Sequence, residues 1–146
     1  MAFDFHAMTL ALIDDFRANG GRVTSGPFVG RQLLLLTTTG AKSGVERTTP
    51  LVYTRDGGRL VIVASKGGSD QHPHWYHNIV KHPIVTLEVG DEKFSARAAV
   101  ADPDERRRLY DAHADVYPGF LDYERKTDRV IPVVILEQVA ERTAAA

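Results

Sequence analysis

Two short segments combine glycine with basic and hydroxyl residues, the types that bind phosphate and carboxylate groups. Residues 37–47 have the sequence TTTGAKSGVER, in which Lys42 and Arg47 supply positive charge while Ser43 and the loop amides supply hydrogen-bond donors. Residues 64–68, ASKGG, add a third basic residue beside two glycines that let the backbone approach a ligand. On residue types alone a solvated glycine turn explains each segment at least as well, and neither has the spacing of a Walker loop.

Three histidines and the tryptophan occur together at residues 72–78, HPHWYHN. His74 and His77 would share one face of a helix, but the segment has no acidic residue to complete a facial metal site. We therefore predict no metal here and interpret the histidines as surface or packing residues. Trp75 is expected in the core, near the start of a helix whose first amides could face a ligand.

An aromatic cluster occupies residues 117–123, YPGFLDY. Its side chains could form the wall of an apolar pocket, and the hydroxyls of Tyr117 and Tyr123 could donate a hydrogen bond or a proton. The alternative is aromatic packing that joins the last helix to the body of the fold. Asp128 and Arg129, which follow shortly after, are interpreted as a structural pair.

The composition limits the chemistry that these segments could perform. The chain has 146 residues, the size of one ordinary domain, and a net charge of −1, which argues against nucleic-acid binding. It contains no cysteine, so thiol redox chemistry, iron–sulfur clusters and thiolate zinc sites are excluded. Any redox function must therefore use a bound cofactor.

The hydropathy pattern gives no sign of export or of membrane insertion. No apolar run approaches the ~20 residues that a membrane span requires, and the N-terminus lacks a basic region before an apolar stretch. We expect a cytoplasmic protein. The amphipathic first helix is expected to cover the core, with peripheral contact at the inner face of a membrane as the alternative.

The chemistry-bearing segments lie between predicted secondary-structure elements. Apolar runs and alternation predict six strands, at residues 32–38, 48–54, 59–65, 84–89, 93–100 and 131–139. Helical spacing predicts helices at residues 4–19, 74–81, 103–116 and 119–128, with Gly20 and Gly21 ending the first, Asp102 capping the third, and residues 144–146 frayed.

The order of these elements predicts the fold class. Hairpin turns at residues 56–58 and 90–91 join neighbouring strands, and adjacent hairpins favour antiparallel pairing. We predict a mainly β protein with flanking helices (α+β), a split β-barrel of the FMN-binding-like type, forming one domain over residues 1–146. The cofactor-binding part would span about residues 30–139. The charged residues 102–108 are interpreted as an exposed helix face.

Taken in chain order, these segments resemble the actinobacterial deazaflavin-dependent nitroreductase family, whose members are split β-barrel oxidoreductases. The resemblance covers roughly residues 30–136 and depends on the order and spacing of short pieces, each of them weak alone. The pieces are LLTTTGAKSG at residues 35–44, Arg47, Pro50-Leu51, RDGG at residues 55–58, ASKGG at residues 64–68, Pro73, Trp75-Tyr76, Asn78, Tyr117-Pro118, Thr127-Asp128-Arg129 and Ile131-Pro132.

The resemblance implies that the chain binds the 8-hydroxy-5-deazaflavin coenzyme, coenzyme F420, and no metal. The residues that would meet its phosphate and glutamate tail are Ala41, Lys42, Ser43 and Arg47. The residues that would flank its ring are Val63, Ala64, Ser65, Lys66, His74, Trp75, Tyr76, His77 and Asn78.

The resemblance also implies hydride transfer to a small, flat, electron-poor acceptor, such as a quinone, the double bond of an enone or lactone, or a nitroaromatic. Tyr117, Tyr123 and Ser65 are the candidate catalytic residues on the acceptor side. Phe120 and Val52 stand where nitroimidazole-activating members of the family carry tyrosines. We therefore expect quinone or enone reduction in preference to nitroimidazole reduction, by a monomer or small homo-oligomer.

Two other interpretations agree with the same residues. One is a split-barrel enzyme that binds FMN in the same groove, and the other is a non-enzymatic barrel that carries a cofactor or a lipid. An oligonucleotide-binding barrel is disfavoured, because the charge is nearly neutral and the sequence has no stripe of alternating basic and aromatic residues.

Overall fold

The computed structural model describes residues 5–26 and 28–139, so the predicted helical position Asp4 and the predicted frayed residues 144–146 lie outside it. Within these residues seven strands form one sheet, in which every pairing is antiparallel and the strand order is β2-β1-β5-β6-β7-β4-β3. The strands are β1 (Leu33–Thr39), β2 (Glu46–Val52), β3 (Thr54–Asp56), β4 (Arg59–Val63), β5 (Ile84–Val89), β6 (Glu92–Val100) and β7 (Val133–Gln138).

The sheet curls until its two edges meet at Tyr53. The edge strands β2 and β3 are consecutive in the chain and only Tyr53 separates them, so the predicted single strand 48–54 was wrong. The strand divides because its first part pairs with β1 while its last part pairs with β4, on the other edge. The predicted split barrel is confirmed, and we call the line where its edges meet the seam.

Four helices and one 3-10 turn flank the sheet in the described part of the chain. They are α1 (Phe5–Ala18), the 3-10 turn Lys66–Gly68, α2 (His74–Lys81), α3 (Pro103–Val116) and α4 (Gly119–Arg125). α1 ends as the sequence predicts: Gly20 has φ +63° and the Gly21 amide donates to the Phe16 carbonyl at 2.8 Å, a Schellman motif. Ile13 and Phe16 pack against Leu35 of β1, so α1 covers the core.

The sequence predicted that the charged residues of α3 form an exposed helix face, but several of them bond to other parts of the fold. Arg106 is only partly exposed and donates to the Ile131 carbonyl at 2.7 Å and to Glu124 at 3.0 Å. Arg108 donates to Asp56, the last residue of β3. These arginines therefore fasten α3 to α4 and to the barrel. No local pattern in the sequence indicated these bonds, because the partners are distant in the chain.

A buried histidine joins the C-terminal helices to the seam. His113 has no exposed surface, its Nδ1 lies 2.9 Å from the Thr54 hydroxyl, and its ring makes an edge contact with Phe120 at 4.6 Å between centroids. Its Nε2 has no hydrogen-bond partner among the described residues. Burial lowers the pKa of His113 from 6.5 to about 4, because the protonated ring would have no solvation there.

This shift predicts that acid destabilises the protein through His113. The unfolded histidine binds a proton near pH 6.5 and the folded one only near pH 4, so the free energy of unfolding falls as the pH falls through that window. We expect a loss of about 2 kcal/mol between pH 7 and pH 5 from this group. Urea unfolding at both pH values should show the loss in the wild type and a clearly smaller one in His113→Leu.

The matched control is His77→Gln, which removes an exposed histidine. The difference in unfolding free energy between pH 7 and pH 5 should match the wild type in this control. An unchanged pH dependence in His113→Leu would contradict the assignment to His113.

Candidate functional site

The loop between β1 and β2 is a tight hairpin that exposes basic side chains at one end of the barrel. The Gly40 amide donates to the Val45 carbonyl at 2.9 Å, and the Gly44 amide donates to the Gly40 carbonyl at 3.0 Å. A Cβ on Gly40 would collide with the hydroxyl of Ser43, so a larger residue at this position would displace the Ser43 side chain. The hydroxyl of Ser43 accepts from the Val45 amide, and the side chain of Lys42 is exposed.

Asn78 of α2 holds this loop in place. Its side chain is 6% exposed, its Oδ1 accepts from the Ala41 amide at 2.9 Å, and its Nδ2 donates to the Thr38 hydroxyl at 3.1 Å. The sequence predicted Asn78 and Ala41 as cofactor-binding residues. The structure brings them together and uses these polar atoms within the protein, so Asn78 positions the basic loop beside the start of α2.

The turn after β4 has an unusual backbone. Lys66 has φ +46° and is followed by Gly67 at φ +64° and Gly68 at φ +85°. A Cβ on Gly68 would lie 2.9 Å from the Tyr123 carbonyl of α4. A lysine in the left-handed region is held there against its own preference, which is common at ligand sites. The turn therefore presents Lys66 while packing closely on the helix that carries Tyr123.

Arg129 fixes the conformation of this turn. Its guanidinium donates to the carbonyls of Ala64 at 3.1 Å and Ser65 at 2.8 Å, to a third carbonyl at Ser69 at 3.0 Å, and to His72 Nδ1 at 2.8 Å. Burial, and then the charge of Arg129, lower the pKa of His72, which favours the neutral ring that accepts this bond.

Three sequence predictions about this region were wrong: one side-chain pair and the ends of two elements. The predicted structural pair of Asp128 and Arg129 was wrong, because the bonds of Arg129 go to residues 64–72 and Asp128 is exposed. Residues 64 and 65 belong to this turn, since β4 ends at Val63. α4 likewise ends at Arg125, before the chain turns to reach residues 64–72.

The basic residues of the two loops lie near the start of α2. Burial lowers the pKa of His74, the first residue of α2, and the charges of Arg47 and Lys66 lower it further. Both cations are therefore within electrostatic range of one imidazole, although Arg47 lies at the start of β2 and Lys66 in the turn after β4. The side chains of Arg47 and Lys66 are exposed, and the first amides of a helix have no carbonyl partner within it. Together these groups form a site suited to a polyanion.

The remaining predicted cofactor residues differ in their exposure. The side chains of Val63, Ala64, Ser65 and Trp75 are 7% exposed or less, and Trp75 belongs to the main core cluster, as expected. Tyr76 is partly exposed and His77 exposed, and both contact the ring of His72.

A cavity of about 510 Å³ opens beside the seam and contains both predicted catalytic tyrosines. Its lining includes Arg31, Tyr117, Phe120 and Tyr123. The Tyr117 hydroxyl donates to the Tyr53 carbonyl at 2.8 Å, and burial raises its pKa. Since Tyr123 lines the cavity while its carbonyl lies against the turn at Gly68, the cavity adjoins the turn that carries Lys66.

Two other kinds of feature, a membrane-spanning helix and a metal site, were sought among the described residues. Between residues 5 and 139, apart from position 27, no helix has the length and apolar character needed to cross a membrane. In the same part of the chain, no three His, Asp or Glu side chains are grouped so as to hold a metal ion.

The seven-stranded barrel, with exposed basic residues next to an aromatic cavity at its seam, is that of a split-barrel protein with a site suited to an anionic ligand. Comparison with known proteins identifies the family to which the chain belongs. The family model of the F420H(2)-dependent quinone reductases matches residues 11–138, and the chain belongs to this family.

Individual relatives agree with this placement. An F420H(2)-dependent quinone reductase of Mycobacterium tuberculosis is 40% identical over 124 residues, which cover 83% of each chain. A solved structure of an F420-H2 dependent reductase has a TM-score of 0.68 and 41% identity, and the match covers 73% of this chain and 95% of the other. A second, described as a domain-swapped dimer, has a TM-score of 0.70 and 36% identity over 88% of this chain and 93% of the other.

The predicted deazaflavin-dependent family and its split-barrel fold are therefore confirmed. The chain is an oxidoreductase whose cofactor is coenzyme F420. The roles assigned to individual site residues stay predictions. The sequence did not single out Arg31, Gln32 or Tyr53, because a loop arginine, a strand-end glutamine and a strand tyrosine have no local pattern that marks a site.

The bonds of Arg129 predict an effect on cofactor binding without any contact between Arg129 and the cofactor. In Arg129→Met, carbonyls at residues 64, 65 and 69 lose a charged donor, so the turn that carries Lys66 should become mobile. We expect F420 affinity to fall by about tenfold and the melting temperature to fall as well. Arg125→Met, which removes an exposed arginine of α4, should change neither, and unchanged F420 affinity in Arg129→Met would contradict the positioning role.

Proposed function

We propose that the protein transfers a hydride from reduced coenzyme F420 to a quinone or a similarly flat, electron-poor acceptor that binds in the seam cavity. The observation that carries this proposal is the contact between the two halves of the site. The turn 65–68 carries Lys66, a cation of the polyanion site, and packs on the backbone of Tyr123. Tyr123 also lines the aromatic cavity. A donor held by the cations would therefore lie next to an acceptor among the aromatic rings.

The residues present fit the coenzyme. Its tail is polyanionic. Arg47 and Lys66 are exposed cations within electrostatic range of the first residue of α2, and Lys42 is an exposed cation of the loop that leads to β2. Hydrogen bonds between charged partners contribute about 1.5–3 kcal/mol each, so a few of them would provide a large share of micromolar affinity. When bound, the coenzyme supplies a two-electron hydride donor.

The chain itself would position the reactants and manage the proton. Tyr117 is anchored to the seam through the Tyr53 carbonyl, so its ring is a fixed wall of the cavity. Its raised pKa keeps the hydroxyl protonated. We assign orientation of the acceptor and proton relay to Tyr123. Ser65, the third predicted catalytic residue, is buried and does not line the cavity. Phe120 contacts both tyrosine rings and supplies an apolar surface. Positioning is a major source of rate in hydride transfer.

The cationic loops predict a selective loss of F420 binding. Lys42→Ala and Arg47→Ala should each raise the Kd for F420 about tenfold or more, because each removes a charged contact to the tail. Trp75 is the sole tryptophan of the chain, so quenching of its fluorescence measures the Kd directly. The melting temperatures should not change, since both side chains are exposed.

The matched control is Lys93→Ala. Lys93 is an exposed lysine of β6, the central strand in the sheet order and therefore the strand furthest from the seam. A parallel titration with FMN separates the alternative cofactor, because FMN has no glutamate tail. Wild-type affinity for F420 in both loop variants, or tighter binding of FMN than of F420, would overturn the assignment of these residues to the tail.

The apolar ring of Phe120 predicts the order of acceptors. With F420H2 as donor, kcat/KM should be highest for a naphthoquinone or a conjugated enone and lowest for a nitroimidazole, because the cavity lacks a hydroxyl at Phe120. Phe120→Tyr adds that hydroxyl with little change in volume and should raise nitroimidazole turnover by about tenfold, the value of one hydrogen bond.

Val29→Thr is the control for Phe120→Tyr. It adds a hydroxyl at an exposed residue outside the cavity lining and should leave the order of acceptors unchanged. Absence of multiple turnovers with every acceptor class would favour the non-enzymatic carrier, whereas nitroimidazole reduction faster than quinone reduction in the wild type would reverse the predicted order.

A further inference from the structure

Arg31 lies at the edge of the seam cavity, two residues before the start of β1. Its amide donates to the Phe28 carbonyl at 3.0 Å, and Gly30 beside it has φ +81°, so a turn fixes the backbone from which the side chain leaves. The side chain is exposed, and its guanidinium makes no hydrogen bond or ion pair with any described residue. The guanidinium is therefore available to a ligand.

Two of the other polar side chains near Arg31 are already engaged within the protein. The Tyr117 hydroxyl donates to the Tyr53 carbonyl at 2.8 Å, and the Gln32 amide donates to the Tyr53 hydroxyl at 2.9 Å. Of the cavity-lining side chains that the structure describes, Arg31 alone carries a charge, and none is acidic. The cavity therefore combines an apolar, aromatic interior with one uncommitted cationic donor.

The charge of Arg31 reaches the aromatic wall. Burial raises the pKa of Tyr117, and the charge of Arg31 opposes that rise. A negative charge that developed near Tyr117 would therefore be attracted to the guanidinium. Arginine suits this task, because it stays protonated and presents several N–H donors in one plane.

We propose that Arg31 binds the carbonyl oxygen of the acceptor and stabilises the negative charge that this oxygen gains during reduction. The assignment rests on the proposed function. The acceptor receives two electrons and one hydrogen as a hydride, its carbonyl π pair moves onto oxygen, and the resulting oxyanion takes a proton from a tyrosine or from water. The oxidised donor releases the second proton of the two-electron couple. Arg31 acts between hydride arrival and protonation, when the charge is largest.

The kinetic experiment compares three variants with one naphthoquinone as acceptor and saturating F420H2. Arg31→Gln should lower kcat/KM by about tenfold to a hundredfold, the effect of one hydrogen bond to a charged group. Arg31→Lys should retain part of the rate, because it keeps the charge. Arg97→Gln, which removes an exposed arginine of β6, should match the wild type.

Two further readouts separate this role from a structural one. Added guanidinium ion should restore part of the rate in Arg31→Ala but not change the wild type. The Kd for F420, measured by Trp75 fluorescence, should be the same in all variants, because Arg31 is assigned to the acceptor and not to the tail.

The equilibrium experiment needs no turnover. A naphthoquinone with an ionisable ring hydroxyl carries a stable oxyanion in its deprotonated form, and its absorbance reports its protonation state. Bound to the wild type with oxidised F420 present, this ligand should have a lower pKa than when bound to Arg31→Gln, because Arg31 favours the anion.

The outcomes distinguish the two levels of the proposal. A wild type that reduces no quinone with F420H2 would show that the proposed function is wrong. A wild type that reduces quinone while Arg31→Gln keeps its full kcat/KM and leaves the pKa of the bound ligand unchanged would overturn the role of Arg31 alone.

Discussion

Closure of the barrel at Tyr53 is the constraint on which the rest of the structure depends. One residue carries the chain from one edge of the sheet to the other, and its groups join three parts of the fold. Its hydroxyl accepts from Gln32 before β1, and its carbonyl accepts from Tyr117 after α3. The aromatic cavity exists because the edges meet there beside the break between α3 and α4.

The two halves of the site are stabilised by different interactions. The cationic half depends on buried polar contacts, with Asn78 holding the first basic loop and Arg129 holding the turn after β4. The aromatic half depends on ring packing, in which Phe120 contacts Tyr117, Tyr123 and the buried ring of His113. The charge that binds a cofactor can therefore vary with little effect on the packing that shapes the acceptor cavity.

Much of the fold could be predicted from the sequence, because its signals are local. Glycines ended α1, Asp102 capped α3, and apolar runs marked the strands. The division at Tyr53 had no local signal, since both halves of that segment have strand-like residues and only their distant partners differ. The sequence also predicted a pair of Arg129 with its neighbour Asp128, because the real partners of Arg129 lie some sixty residues earlier and leave no local signal. The basic segments could be predicted because charged residues and glycines can be read directly from a sequence. Arg31 could not be predicted, because the cavity beside it is formed by residues that are distant in the chain.

Lys66 keeps a backbone conformation that suits glycine. It is the one described residue other than glycine with a positive φ, and such a residue costs on the order of 1–3 kcal/mol. A glycine at this position would relieve the strain but would remove a cation from the site that we propose for the cofactor. Selection for thermostability alone would therefore tend to replace Lys66, and a more heat-resistant protein obtained in that way would hold its coenzyme less tightly.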